Sequence, residues 1–395
     1  MANPRPVLIA GGGIGGLSAA LALGRERIGS HIVERSDFAE ESGAGIQLGP
    51  NSTRILRSLG VLDELMAHAF QPEAVLIFDG ISGKQLTTLP LGQAAEDRYG
   101  APYITVHRAD LHQTLRAAAE RCDEISLTQG FTVAGVSGDD GATIASLDGK
   151  TLSGPCLIGA DGLWSTVREW VAPGFRPSFA GATAFRCLLD RAHLPAPFNA
   201  PIVGLWLGPR AHLVHYPVRG GDALNVVAVT ESGDAQEGWN RSAESAAVLA
   251  GFSRWSDPPL DLLAAATSWR SWSLCALSKL PQWHKGSTVL IGDAAHPVLP
   301  YLAQGAGLAI EDAAALAKLL AGQLAKPHNR PAAQIDGQIS PAFEVYESRR
   351  RARVQRVQQT AMRLGRAYHM GDEMLGGIFR ASRNAILGLR GQNAT

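Results

Sequence analysis

Six residues near the start of the chain, GGGIGG from Gly11 to Gly16, have the spacing of a phosphate cradle. Gly11, Gly13 and Gly16 satisfy G-x-G-x-x-G: the first permits a tight turn, the second lets a pyrophosphate approach the backbone, and the third lets helix and strand pack closely. A helix opening directly behind them presents bare N–H groups and a partial positive charge to the phosphates. Glu34 lies roughly 20 residues on, the offset expected of an acid that holds a ribose hydroxyl, with Arg35 beside it. A glycine turn of this kind can also be purely structural, and alone it does not separate FAD from NAD.

Two further turns carry an aspartate at the end of an apolar run. IGADGLWSTVR sets Asp161 between Gly159 and Gly162, and LIGDAAHPVLPYLAQGAG sets Asp293 after Gly292. Singly, each reads as a turn residue or a helix cap. The segment HLVHY adds titratable rings: on a strand, His212, Val214 and Tyr216 share one face, while His215 and Leu213 share the other. His215 is either a partner behind His212 or a solvent-facing residue. Arg186 and Arg210 are candidate partners for a substrate carboxylate, or surface ion-pair residues.

The elements that must position these groups follow from the pattern. VLIA reads as a buried parallel strand, LSAALALGRER as a helix and HIVER as a second strand, the order of a dinucleotide-binding unit. From Leu76 to Ala101 the pattern shifts to short alternations, then YITVHR and ADLHQTLRAAAER return to strand and helix. GLWLGPRAHLVHYPVRGGDALNVVAV reads as two antiparallel strands joined at Gly-Gly. A helix is expected to begin near Leu308, behind the loop AQGAG, and the Arg- and Gln-rich tail from Pro341 has helical spacing with a solvated face, or one that pairs two subunits.

Taken together and in this order, the three motifs resemble those of the group A flavoprotein monooxygenases, the family of para-hydroxybenzoate hydroxylase and salicylate hydroxylase. The resemblance runs from Val7 to about His369. It implies an α/β fold in which a Rossmann-like FAD-binding domain (1–75, 100–175 and 285–330) is interleaved with an antiparallel-sheet substrate domain (76–99 and 176–284), followed by a helical region (331–395). It further implies that Gly11, Gly13, Gly16, Glu34 and Arg35 hold the ADP part of FAD, that Asp293 meets the ribityl chain, and that Asp161 serves FAD and the nicotinamide donor. Arg108 in TVHRADL and Gln47 in GAGIQLGPN match flavin-proximal positions; the plainer reading of Arg108 is a surface residue before a helix that Asp110 caps. Gly305 and Gly307 match a helix start aimed at the flavin ring, where it would stabilise negative charge, although this chain lacks the Asn the family commonly carries there.

The implied reaction reduces FAD with NADH or NADPH, forms a flavin C4a-hydroperoxide with O2, and transfers hydroxyl to a small aromatic, a hydroxybenzoate- or salicylate-like acid. His212 and Tyr216 match a His and Tyr four residues apart in the substrate pocket of related hydroxylases, and Pro297 matches a proline at the oxygen-reactive edge. Pro300 stands where some 3-hydroxybenzoate hydroxylases carry a polar residue, which argues against that particular substrate. Three alternatives stay open: a larger polyketide, quinone or antibiotic substrate, a plain nicotinamide dehydrogenase, and a non-catalytic FAD-binding protein.

Composition narrows the partners. The 395 residues carry 36 basic and 36 acidic side chains and no long run of one sign, so neither nucleic acid nor an anionic membrane is indicated. Four dispersed cysteines suggest neither a metal site nor a disulfide framework. The glycine-interrupted apolar start suits strand, turn and helix better than a membrane span or secretory signal. The chain is therefore expected to be cytoplasmic, and a homodimer is one possible assembly.

Overall fold

The computed structural model describes residues 5–37, 44–138, 141–195, 197–233, 240–324 and 339–370. Val7–Ala10, wholly apolar and buried, lies inside a six-stranded sheet ordered His284–Lys285, Thr288–Leu290, Leu157–Gly159, Val7–Ala10, Ser30–Val33, Ile125–Thr128. Every pairing is parallel except the edge hairpin. Helix Ile14–Arg25 leaves the central strand and packs against helix Gly305–Leu324. Strand ends and helix starts thereby meet on one side of the sheet, the usual place for a ligand in such an arrangement.

A second, eight-stranded sheet runs Arg241–Ala243, Trp269–Ala276, Ser178–Asp190, Ala223–Glu231, Ala211–Val218, Ile202–Gly208, Ala74–Asp79, Gln85–Pro90. It is antiparallel apart from the pairing of Ile202–Gly208 with Ala74–Asp79. Directly opposed residues share a face: His212 stands opposite Val229, Val214 opposite Val227 and Tyr216 opposite Asn225, and Val227 in turn opposes Arg186. His212, Tyr216 and Arg186 therefore project from one side of this sheet.

A two-stranded ribbon, Gly45–Leu48 with Ile104–His107, docks on that side. Thr105 Oγ1 donates to the Pro217 carbonyl at 2.5 Å, and the Gly45 N–H donates to Asn225 Oδ1 at 2.7 Å. Only glycine fits at position 45, since a Cβ would stand 2.5 Å from Tyr216 Cε2.

Four local expectations change. The Leu-rich segment around HLVHY forms three strands, because Gly208 pairs with Ala211 and leaves Pro209 and Arg210 as a tight hairpin, with Arg210 at φ +61°. Helix Gly305–Leu324 starts before Leu308; its packing on Ile14–Arg25 offsets the weak helix propensity of Gly305 and Gly307. Asp110 lies in the first turn of helix Arg108–Glu120, whose cap position is His107. The C-terminal helix Ser340–Tyr368 buries Arg350 and Arg353, which meet the buried acids Glu311 and Asp312. Among the described residues, no helix is long and apolar enough to cross a membrane.

Candidate functional site

The three glycines do three different things. Gly11 has φ +107°, and a Cβ there would lie 2.4 Å from the Ala160 carbonyl oxygen. A Cβ on Gly16 would lie 1.9 Å from the Gly11 carbonyl oxygen, so helix and turn touch backbone to backbone. A Cβ on Gly13 would meet nothing within 4 Å. The open backbone thus sits at the start of helix Ile14–Arg25, which has neither a side-chain cap nor an acid in its first turn. Glu34 accepts from the Gly12 N–H at 2.7 Å and from Ser36 N and Oγ at 3.0 Å, while Arg35 is exposed beside it. From below, His112 Nε2 lies 2.8 Å from the Gly12 carbonyl; a carbonyl only accepts, so that nitrogen carries the hydrogen.

The carboxylate of Asp161 works within its own loop. It accepts from Ser165 Oγ at 2.5 Å and from the Val167 N–H at 3.0 Å, and Ser165 in turn caps helix Thr166–Val171. Burial pushes this carboxyl up, and those two donors oppose the rise. Its role is to shape the turn whose backbone abuts Gly11. Arg168 then spans the two aspartate turns, donating to Leu163 O at 2.6 Å and to Ala294 O at 3.1 Å.

Asp293 is exposed in a stretch, 291–297, that is otherwise buried. The turn that presents it is held from behind: Asp312 Oδ2 accepts from the Gly292 N–H at 2.9 Å and from His296 Nε2 at 2.6 Å. Pro297 is buried, and its carbonyl accepts from Gln358 of the C-terminal helix at 3.1 Å.

The start of helix Gly305–Leu324 has no acid in its first turn. The missing Asn has a neighbour in space: Asn51, from helix Pro50–Ser58, donates to Gln304 Oε1 at 3.1 Å and Glu311 Oε1 at 2.7 Å. Its Nδ2 would stand 3.2 Å from a Cβ on Gly307, and its Oδ1 has no partner among the described residues. Two helix starts without an acid in the first turn, an open glycine and an acid at the end of the second strand fit FAD, whose pyrophosphate and reduced ring carry negative charge.

On the ribbon that docks on the second sheet, Tyr103 donates to Gln47 Oε1 at 2.5 Å. Burial pushes the Tyr216 hydroxyl well above its ordinary range, opposed by Arg186 and by a hydrogen bond to Gln47. The Arg186 guanidinium lies 4.7 Å from the Trp272 ring, and its Nε is shielded from solvent with no hydrogen-bond partner among the described residues. Arg108 is half-buried and close enough to repel Arg186. Arg210, by contrast, is 76% exposed and pairs with Glu231 at 3.3 Å, so it is a surface ion-pair residue.

His212 does not touch Tyr216, since Val214 separates them along the strand. Its ring packs against Tyr301 and Tyr368 at 5.4 and 5.3 Å, and its Nδ1 lies 2.9 Å from His369 Nε2. Burial, then the His369 charge, hold it well below the ordinary imidazole range. His215 neither faces solvent nor supports His212: it points to the opposite face, against Gly204 and the Phe198 ring, and neither ring nitrogen has a partner among the described residues. His112, Arg168, Asn51 and His369 were not singled out by sequence, because each acts on a group far along the chain. Among the described residues, no cluster of three His, Cys, Asp or Glu could hold a metal ion.

Residues 5–361 match the model of an FAD binding domain. The chain is 36% identical over 390 residues to a 3-hydroxybenzoate 6-hydroxylase of Klebsiella oxytoca, covering 98% of this chain and 93% of that one. It is 35% identical over 371 residues to a 3-amino-4-hydroxybenzoate 2-monooxygenase of Streptomyces platensis, covering 94% and 90%. A solved salicylate hydroxylase substrate complex has the same fold, with a TM-score of 0.80 at 24% identity over 100% of this chain and 99% of that one.

Proposed function

Since the chain belongs to the group A flavoprotein monooxygenases, we propose that it hydroxylates a hydroxybenzoate-type ring acid with FAD, NAD(P)H and O2. Arg186 carries the substrate half of this reading. The Nε of Arg186 is shielded and, among the described residues, the guanidinium has no acidic partner; such an unsatisfied charged donor is costly, and it shares a sheet face with His212 and Tyr216. A ring carboxylate would complete the pair, with Trp272 stacking behind the guanidinium. Two of the relatives described above are named for hydroxybenzoates, which supports the same class.

In this reading Gly11, Gly13, Gly16 and Glu34 hold the ADP part of FAD, with Arg35 on their rim. Asp293 takes the ribityl chain, and Gly305, Gly307, Gln47 and Arg108 surround the ring. Asp161 contributes through the turn it shapes. Once bound, FAD supplies hydride acceptance and oxygen activation. The chain's own residues do the rest: Arg186 orients the acid, His212 takes the proton of the ring hydroxyl and so enriches the ring in electrons, and buried Pro297 helps close the reacting edge to water. Pro300, exposed at the start of the turn Pro300–Leu302, offers no side-chain donor or acceptor, leaving that proton to His212.

The test is to purify the protein, record its visible spectrum, and measure NADH and NADPH oxidation with 3-hydroxybenzoate, 3-amino-4-hydroxybenzoate, salicylate and neutral phenols, with product analysis. Stimulation and a hydroxylated product from a ring acid support the reading. Stimulation by neutral phenols alone would overturn the role of Arg186.

A further inference from the structure

His212 is the inner end of a line of three titratable groups. Its Nδ1 lies 2.9 Å from His369 Nε2, and His369 Nδ1 lies 3.1 Å from Glu231 Oε1. Glu231 is 41% exposed, pairs with Arg210, and borders a surface recess of about 280 Å³ with Arg254 and Trp255. The other titratable rings facing the line are Tyr301 and Tyr368, both neutral hydroxyls at ordinary pH. We propose that His369 and Glu231 are positioning residues that extend His212 into a proton relay, from the substrate face of the sheet to the surface. The proposal rests on the reading that His212 meets the ring hydroxyl.

The direction of the relay follows from what each atom can do. An ionised carboxylate only accepts, so His369 Nδ1 must carry a hydrogen toward Glu231. A neutral His369 then has its lone pair on Nε2, which requires His212 Nδ1 to donate. The lone pair of His212 is thereby placed on Nε2, in the tautomer that can act as a base. Glu231 thus sets the tautomer of a ring it does not touch. Burial keeps both imidazoles below their ordinary range, as a neutral relay needs.

Proton balance closes without another reactant. The ring hydroxyl gives its proton to His212 Nε2 as the Nδ1 proton moves to His369 Nε2. The Nδ1 proton of His369 then passes to Glu231 and on to water in the recess. One O–H bond breaks inside, one proton is released outside, and the oxygen of the ring is left anionic.

Nitrogen-15 NMR of histidine-labelled holoprotein reads the tautomers with no substrate present. Protonated Nδ1 and bare Nε2 are expected at both His212 and His369, and Glu231→Ala should scramble both. A wild-type His212 carrying hydrogen on Nε2 overturns the proposal. Kinetically, His369→Gln keeps a hydrogen-bonding side chain but cannot pass a proton. Its hydroxylation rate near neutral pH should fall about 10²-fold, with FAD retention and KM nearly unchanged and the deficit shrinking as pH rises. A His369→Gln profile that superimposes on wild type overturns the relay. If no ring acid is hydroxylated at all, the function fails, while the tautomer measurement still judges the relay.

Discussion

Arg350 Nε stands 2.6 Å from Asp312 Oδ1, with the arginine side chain 3% exposed and the aspartate fully enclosed. The pair joins the C-terminal helix to the turn that presents Asp293, because the other oxygen of Asp312 holds Gly292 and His296. Burial alone would raise the Asp312 carboxyl, but His296 and Arg350 hold it well below the carboxylate range. Removing one partner leaves an uncompensated buried charge, at a cost of about 3–5 kcal/mol. Arg350→Met should therefore lower the denaturation midpoint of the holoprotein sharply and loosen FAD, both read in one thermal scan that follows flavin fluorescence.

Gly16→Ala tests the cradle. The new Cβ would lie 1.9 Å from the Gly11 carbonyl oxygen, so the loop must move, a strain worth about 1–3 kcal/mol. Urea denaturation should show that loss, and dialysis should strip FAD faster than from wild type.

Asp293→Ala and His212→Ala should separate cofactor from substrate chemistry. The first is expected to lose FAD on gel filtration. The second should keep FAD while NAD(P)H oxidation uncouples from hydroxylated product. Loss of flavin from the His212 variant would place that ring in the wrong site.

Arg186→Met should raise KM for ring acids about 10²-fold, the scale of a lost charge-assisted pair, with kcat changed far less. Steady-state kinetics with an acid and its neutral amide check this, since the amide should show little difference between the two proteins.

His215 gives a pH signature. Burial lowers its pKa from 6.5 to about 3, so below 6.5 the unfolded chain binds a proton that the folded chain refuses. The sign follows: its contribution to stability is complete above 6.5 and is lost as pH falls toward about 3. His215→Leu should remove that part of the acid sensitivity, visible as a smaller drop in Tm between neutral pH and pH near 5.

The local parts of the site were legible in the sequence, and the distant ones were not. Gly16 closes on Gly11 within the loop and Gly13 leaves its backbone open, so the spacing carried the cradle, while the Ala160 turn that Gly11 abuts lies far along the chain. Asp161 was readable as a cap or a ligand; Ser165 takes the cap position, and Asp161 accepts from Ser165 Oγ and the Val167 N–H behind it. His112, Arg168 and Asn51 left no local signal, since their partners Gly12, Ala294 and the pair Gln304 and Glu311 lie far along the chain. Periodicity misjudged the hairpin at Pro209 and Arg210 because the apolar run on either side of it hardly changes in composition. The solvated arginine face expected of the tail was wrong at Arg350 and Arg353, whose acids stand on another helix.

The Arg210 N–H also donates to the His369 carbonyl at 3.2 Å, fastening the end of the C-terminal helix to the Pro209–Arg210 hairpin. Made in order from its N terminus, the chain has its glycine loop and both sheets in hand well before His369 emerges. Until then His212 has no imidazole to orient it and the turn behind Asp293 lacks its arginine. The site thus depends on its last-made helix: a chain cut short before Arg350 would keep the glycine loop and the strands of both sheets, yet lack the imidazole beside His212 and the arginine behind the Asp293 turn.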